Sequence, residues 1–207
     1  MTLFQMFEQN KQHFPNVGLT QFTKDVNLAQ RYFAHDTRIL VKQANLTIVS
    51  NTVEYTLSTE FSDIDGELVK EILFKDSNGE LLDSSDTLKF TITNGKIRFY
   101  DYYGDSITTI PSSISTITFI YVYVPTDLSN DTDEPVLDDQ FHDALLYRVL
   151  MKYYVTFPMT QVINGQTIIS ISTSTSKYFH DLYKELELSA KRKANEYTPM
   201  HTGISGL

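Results

Sequence analysis

The sequence predicts an α+β fold with N-terminal helices, a middle antiparallel β-sheet with hairpins, and two C-terminal helices. Two changes of pattern carry this reading. Apolar residues recur at three- and four-residue spacing in the first 45 residues and again beyond 136, as one buried helix face requires. Between those regions the pattern becomes alternation, broken by Asn-Gly pairs. A third observation joins the halves: an apolar run to Pro125, an acidic loop closed by Pro135, then an amphipathic helix. With 207 residues, 41% of them hydrophobic, the chain can build one full core but not several. The expectation is a single domain over 1–207, helical over 1–45, sheet over 46–125, helical over 136–196, with a flexible tail over 197–207.

In the first region Phe4, Phe7 and Phe14 precede a break at Pro15-Asn16-Val17-Gly18. Phe22, Val26, Ala29 and Phe33 then line a second helix, with Thr20 placed to cap its start. In the sheet region Val53, Tyr55 and Leu57 alternate with polar residues, and Gly66 with the Asp63–Asp65 cluster marks a turn. Asn78-Gly79 and Asn94-Gly95 suit type I′ turns, which need positive φ at both central residues. The second pair sets a register: Thr93 opposite Lys96, Ile92 opposite Ile97, Phe90 opposite Phe99. Ile117–Val124 is apolar on both faces and reads as a central, covered strand that Pro125 ends.

Residues 136–157 read as a helix with Phe141, Ala144, Leu145, Val149 and Tyr153 on one face and Pro158 at its end. Asp138 or Asp139 stands where a carboxylate can accept the first backbone N–H groups. Gln161–Ser176 contains a Ser/Thr run and reads as a mobile loop. A last helix, from about Lys177 to Asn195, carries Phe179, Leu182 and Leu186 on one stripe.

Composition narrows the function classes. The absence of cysteine excludes a disulfide scaffold, a thiolate metal site and a cysteine nucleophile. A formal net charge of −9 makes a general phosphate-backbone binder unexpected, because the field of the chain repels polyanions. Met1–Glu8 lacks the basic and apolar regions of a signal peptide, and no apolar run reaches bilayer length, so a soluble protein is expected. There is no Gly-x-Ser-x-Gly elbow, no Walker loop and no Gly-x-Gly-x-x-Gly.

The sharpest catalytic pattern is Asp138-Asp139-Gln140-Phe141-His142-Asp143. Helical spacing puts Asp138, Asp139 and His142 on one face, a carboxylate–imidazole set that could hold a divalent metal. A metal needs a third ligand, and no second His–acid pair is evident, so the plainer reading is an acidic helix start. Neither a cofactor nor catalysis is expected. Tyr100, Tyr102, Tyr103, Tyr121 and Tyr123 fall on adjacent strands, where core packing and an interface compete as explanations. Lys191-Arg192-Lys193 suits the negative end of the last helix, or docking onto an acidic partner.

The segment from Phe119 to Tyr154 resembles the head-to-tail adaptor proteins of tailed bacteriophages. The matching residues are Tyr123-Val124-Pro125, Pro135, Phe141-His142-Asp143-Ala144-Leu145 and Tyr153-Tyr154, with Asp138 at the helix start. Glu54-Tyr55-Thr56-Leu57 and Phe61-Ser62-Asp63-Ile64 are similar to a second family pattern, with Ser58 in place of its proline. The resemblance implies a non-enzymatic virion protein at the neck, assembled in the host cytoplasm. It implies a homo-oligomeric ring that bridges the portal protein to tail or other neck proteins and helps retain packaged DNA, which passes without specific binding. Membrane partners are not implied. Rival readings are another ring protein such as a tubular tail gatekeeper, and a tyrosine-rich module that binds glycan or protein.

Overall fold

The computed structural model of the chain describes residues 1–56, 69–82, 88–93, 96–163 and 166–196, with the backbone alone over 159–170. The chain forms two compact units. One comprises Met1–Leu40 and Pro125–Leu207, and the other, inserted between those segments, is Val41–Val124. Helices lie at both ends of the chain and antiparallel strands in the middle, the α+β order expected.

In the helical unit, α1 (Leu3–Lys11) begins with a reciprocal cap: the Thr2 side chain accepts from the Gln5 N–H, and the Gln5 side chain accepts from the Thr2 N–H. The acidic loop supplies two further acceptors. Leu3 and Phe4 donate their N–H groups to the carbonyls of Asp133 and Asp131, at 2.8 and 3.0 Å. Three of the donors that a helix start leaves orphaned are thereby satisfied.

Next comes α2 (Leu19–Thr37), which buries Phe22, Val26, Ala29 and Phe33. Its N-cap is Gly18 and makes no side-chain bond, so Thr20 lies inside the helix and does not cap it. Arg38, at φ 53°, ends it in the left-handed region. A 3-10 turn, Asp139–Phe141, leads into α3 (His142–Thr156), and neither Asp138 nor Phe141 gives a side-chain cap. The expected carboxylate cap is therefore replaced by a backbone bond from Phe141 N–H to the Asp138 carbonyl at 2.8 Å.

The segment expected to be a mobile loop instead forms β8 (Met159–Ile163), β9 (Gln166–Ser170) and the first turn of α4 (Thr173–Glu196). Ser176 donates to the Met151 carbonyl at 2.9 Å, which draws part of the Ser/Thr run onto α3. Asn164-Gly165 separates β8 from β9 in sequence and lies outside the described residues, as does the tail from 197.

An aromatic cluster fills the unit. Phe14 meets Tyr154 edge to face at 4.8 Å, and Tyr154 stacks on Phe179 at 5.6 Å. Pairs of this kind contribute about 0.5–1.5 kcal/mol beyond their burial.

The inserted unit begins at β1 (Val41–Thr47), so the sheet starts a few residues before the expected position at 46. Its other strands are β2 (Glu54–Thr56), β3 (Val69–Lys75), β4 (Leu81–Leu82), β5 (Leu88–Thr93), β6 (Lys96–Asp101) and β7 (Thr116–Val122). One sheet has the order β1-β7-β3-β4 and the other β2-β6-β5. β7 is central and covered as its composition requires, with Ile117, Thr118 and Phe119 inaccessible to solvent. Burying each such apolar side chain is worth about 1.5–3 kcal/mol. Thr118, the polar exception, donates to Asn45 Oδ1 at 2.7 Å.

β5 and β6 pair in the register read from Asn94-Gly95, with Phe90 opposite Phe99 and Ile92 opposite Ile97. The two turn residues themselves lie outside the described set, as do Leu57 to Leu68. The Asn78-Gly79 turn differs from expectation. Gly79 has φ +83°, but Asn78 is not among the positive-φ residues, so this is not a type I′ turn. Asp76 decides it: its Oδ1 accepts from Asn78 N–H at 2.8 Å and Glu80 N–H at 2.9 Å, which organises a longer loop around a side chain.

Candidate functional site

The acidic start of α3 does not assemble a metal centre. His142 is buried, and its Nε2 lies 2.8 Å from the Leu137 carbonyl while Nδ1 lies 2.7 Å from the Met1 amino nitrogen. Asp139, largely exposed, places Oδ1 3.5 Å from Nδ1 and 3.7 Å from the Met1 amino nitrogen, and Asp138 pairs with Lys193. No group of three or more potential metal ligands occurs among the described residues. A buried histidine held on a backbone carbonyl is a packing element that fixes the loop before α3.

The strongest electrostatic feature was not legible in the sequence. Asp25 on α2 is 6% exposed and accepts from Lys152 Nζ at 2.6 Å, Tyr153 Oη at 2.8 Å and Gln21 Nε2 at 2.9 Å. Burial pushes its carboxyl up, but the hydrogen bonds and the Lys152 charge outweigh this and hold it below the ordinary value. Burial, with the bond to Asp25, pushes the Tyr153 phenol far up. Glu187 on α4 repeats the device with Lys184 at 2.6 Å and Lys191 at 2.5 Å, and its carboxyl is likewise lowered against burial. The Asp25 cluster ties α2 to α3, whereas the Glu187 cluster lies within α4.

The motif residues are structural in placement: Pro125, Pro135, Phe141, Ala144 and Leu145 are all buried. Pro125 is also the first residue of the segment that returns to the helical unit. The acidic loop is organised by Asp133. Its carboxylate accepts the N–H groups of Ser129 and Asn130 at 2.7 and 2.8 Å, which lowers its pKa to about 2.

The structure separates the tyrosines. Tyr121 is 3% exposed in the core of the inserted unit, so it packs. Tyr100 and Tyr123 are half-buried, with Arg98 over the Tyr100 ring and Lys42 over that of Tyr123. Tyr102 and Tyr103 stand out at 55% and 84% exposure. They sit on a tight turn in which Asp101 Oδ1 accepts from Asp105 N–H at 2.7 Å and Gly104 takes φ +90°. Their rings meet edge to face at 5.4 Å. Two large amphipathic side chains are thus presented on a turn fixed by hydrogen bonds. Within the basic run, Lys191 and Lys193 are engaged with Glu187 and Asp138, and Arg192 is exposed.

A cleft of about 700 Å³ opens on the helical unit, lined by His13, Phe14, Val17, Gln21, Phe157 and Pro158. Its lining mixes apolar and polar side chains, and His13 Nδ1 is held on Tyr154 Oη at 2.8 Å. No helix among the described residues is long and apolar enough to cross a membrane. A family model described as SU10 adaptor protein matches residues 8–196. None of the curated proteins matches the chain.

Proposed function

Because the chain belongs to the SU10 adaptor protein family, a phage head-to-tail adaptor family, we propose that it forms a ring at the neck of the virion. In this reading the ring joins the portal protein to tail or other neck proteins, and the protein does structural work without catalysis. The family match over 8–196 is the observation that carries it.

Three features support the reading. The exposed Tyr102–Tyr103 turn suits a protein–protein contact, since tyrosine anchors bury large area at little conformational cost. The closely tied helical unit provides a rigid body that can repeat around an axis. The net charge of −9 lets DNA pass through a ring without being gripped, which fits a role in retaining packaged DNA by closure of the channel.

The test is quantitative mass spectrometry of purified virions. A fixed copy number of ring size, far below that of the capsid protein, is expected. Absence of the chain from particles would overturn the reading.

A further inference from the structure

The three long helices of the helical unit pack on one another with alternating direction. Asp25 meets Tyr153 while Phe33 meets Phe141, so α2 and α3 are antiparallel. Tyr154 meets Phe179 while Phe141 meets Lys193, so α3 and α4 are antiparallel too. Hence α2 and α4 run parallel, with Phe33 and Tyr183 level at 6.0 Å between ring centroids.

Two surfaces of this bundle are unlike and complementary. Between α2 and α3 lies a groove of about 220 Å³ lined by Leu28, Tyr32, Arg148, Val149 and Lys152 above Asp25. Leu28 and Tyr32 are 45% and 47% exposed, and the Arg148 guanidinium lies 4.6 Å from the Tyr32 ring centroid. Lys24, exposed and one turn before Leu28, adds to the charge. Asp25 offsets one cation, so the groove is apolar with a positive surplus; Asp36 lies beyond Tyr32 at its far end.

The other surface is the outer face of α4. Phe179, Tyr183, Glu187 and Ala190 point inward. Tyr178, Asp181, Glu185 and Leu188 fall on the opposite side of the helix and are exposed, with Arg192 toward the end. Tyr178 and Leu188 are 59% and 55% exposed. This stripe is apolar with two carboxylates at its centre.

We propose that the outer stripe of α4 from one copy docks into the α2/α3 groove of the next, a head-to-tail contact between copies of this chain. The proposal rests on the ring reading and names the surface that would close it. Rotation about an axis along the helices keeps α4 of one copy parallel to α2 of its neighbour. Leu28 lies five residues before Phe33, and Tyr178 lies five before Tyr183. Because Phe33 and Tyr183 are level, the rotation brings Leu28 level with Tyr178, and Arg148, which meets both Tyr32 and Tyr183, toward Asp181 and Glu185; Lys152, level with Asp25, falls nearer the start of α4. Apolar groups then meet apolar groups, and the Arg148 cation meets the Asp181 and Glu185 carboxylates.

The absence of native cysteine makes the test clean. Full-length Leu28→Cys and Tyr178→Cys variants, each checked for native circular dichroism, are mixed at high concentration, oxidised and separated without reductant. The mixed disulfide is expected in excess over random pairing. It should be lost when Asp181→Lys and Glu185→Lys are added to the Tyr178→Cys chain. Like-with-like disulfides in excess, or no disulfide in any mixture, would overturn the proposal. Neither result touches the adaptor reading, which stands or falls on the virion count.

Discussion

Asp25 on α2 and Lys152 on α3 are joined at 2.6 Å, with the carboxylate almost wholly buried and the ammonium stem reaching it from solvent. Tyr153 Oη completes the set at 2.8 Å, so consecutive residues of α3 grip one carboxylate. Packing alone would let α2 and α3 slide or rotate; a buried acceptor with fixed donors selects one register.

Lys152→Met should therefore destabilise the helical unit, because it removes a donor and leaves a buried carboxylate underpaired. The expected cost is about 1–3 kcal/mol. Asp25→Asn combined with Lys152→Met should cost less than the sum of the single changes. Urea unfolding of the four proteins measures both, and full additivity would show that the pair does not act as a unit.

The pH dependence follows from the same groups. Asp25 and Glu187 are lowered from ordinary values of 3.8 and 4.5, and Asp133 is lowered from 3.8 to about 2. A carboxyl depressed in the folded state stabilises it above the unfolded pKa, and that contribution is lost as pH falls through the folded pKa. Stability should be flat in these groups above about pH 5 and fall progressively below about pH 4. Asp25→Asn with Glu187→Gln should be less stable near neutrality and flatten the decline. Unfolding midpoints measured over that range decide the point, and an unchanged slope in the variant would sink the assignment.

Gly79 has φ +83°, and a Cβ placed there meets no atom within 4 Å. The cost of Gly79→Ala is then purely conformational, about 1–2 kcal/mol, with Gly79→Asn costing less because asparagine tolerates the left-handed region. Thermal unfolding of the two variants ranks them. Equal stability to the parent would mean that the turn relaxes to another form.

Tyr103 and Tyr121 should behave as opposites. Tyr121→Ala removes a core ring and should cost about 3–5 kcal/mol. Tyr103→Ala should change stability by less than about 0.5 kcal/mol. In the adaptor reading Tyr103→Ala also reduces incorporation into virions while folding normally. Wild-type incorporation of that variant would remove this turn from the interface.

Much of the molecule could be read without coordinates. The helix–sheet–helix order, the buried face of α2, the covered strand ending near Pro125 and the β5–β6 register follow from local periodicity and turn chemistry, which depend on neighbours in sequence. The β8–β9 hairpin is missed by the sequence reading, although Asn164-Gly165 stands between its strands as a turn signal. Thr20 and Asp138 had the right chemistry for caps but stand two positions past the α2 cap at Gly18 and three before the α3 cap at Phe141, and cap geometry depends on that exact dihedral change.

The sequence by itself determined the helix–sheet–helix order, the buried face of α2, the β5–β6 register and the family to which the chain belongs. Only the tertiary structure decided that Asp25 would find Lys152, that Tyr121 is packed while Tyr103 is displayed, and that His142 meets the Met1 amino group. The physical reason is separation along the chain. Periodicity is a short-range property of the backbone, whereas partners 127 residues apart, as Asp25 and Lys152 are, meet only after the helices have packed.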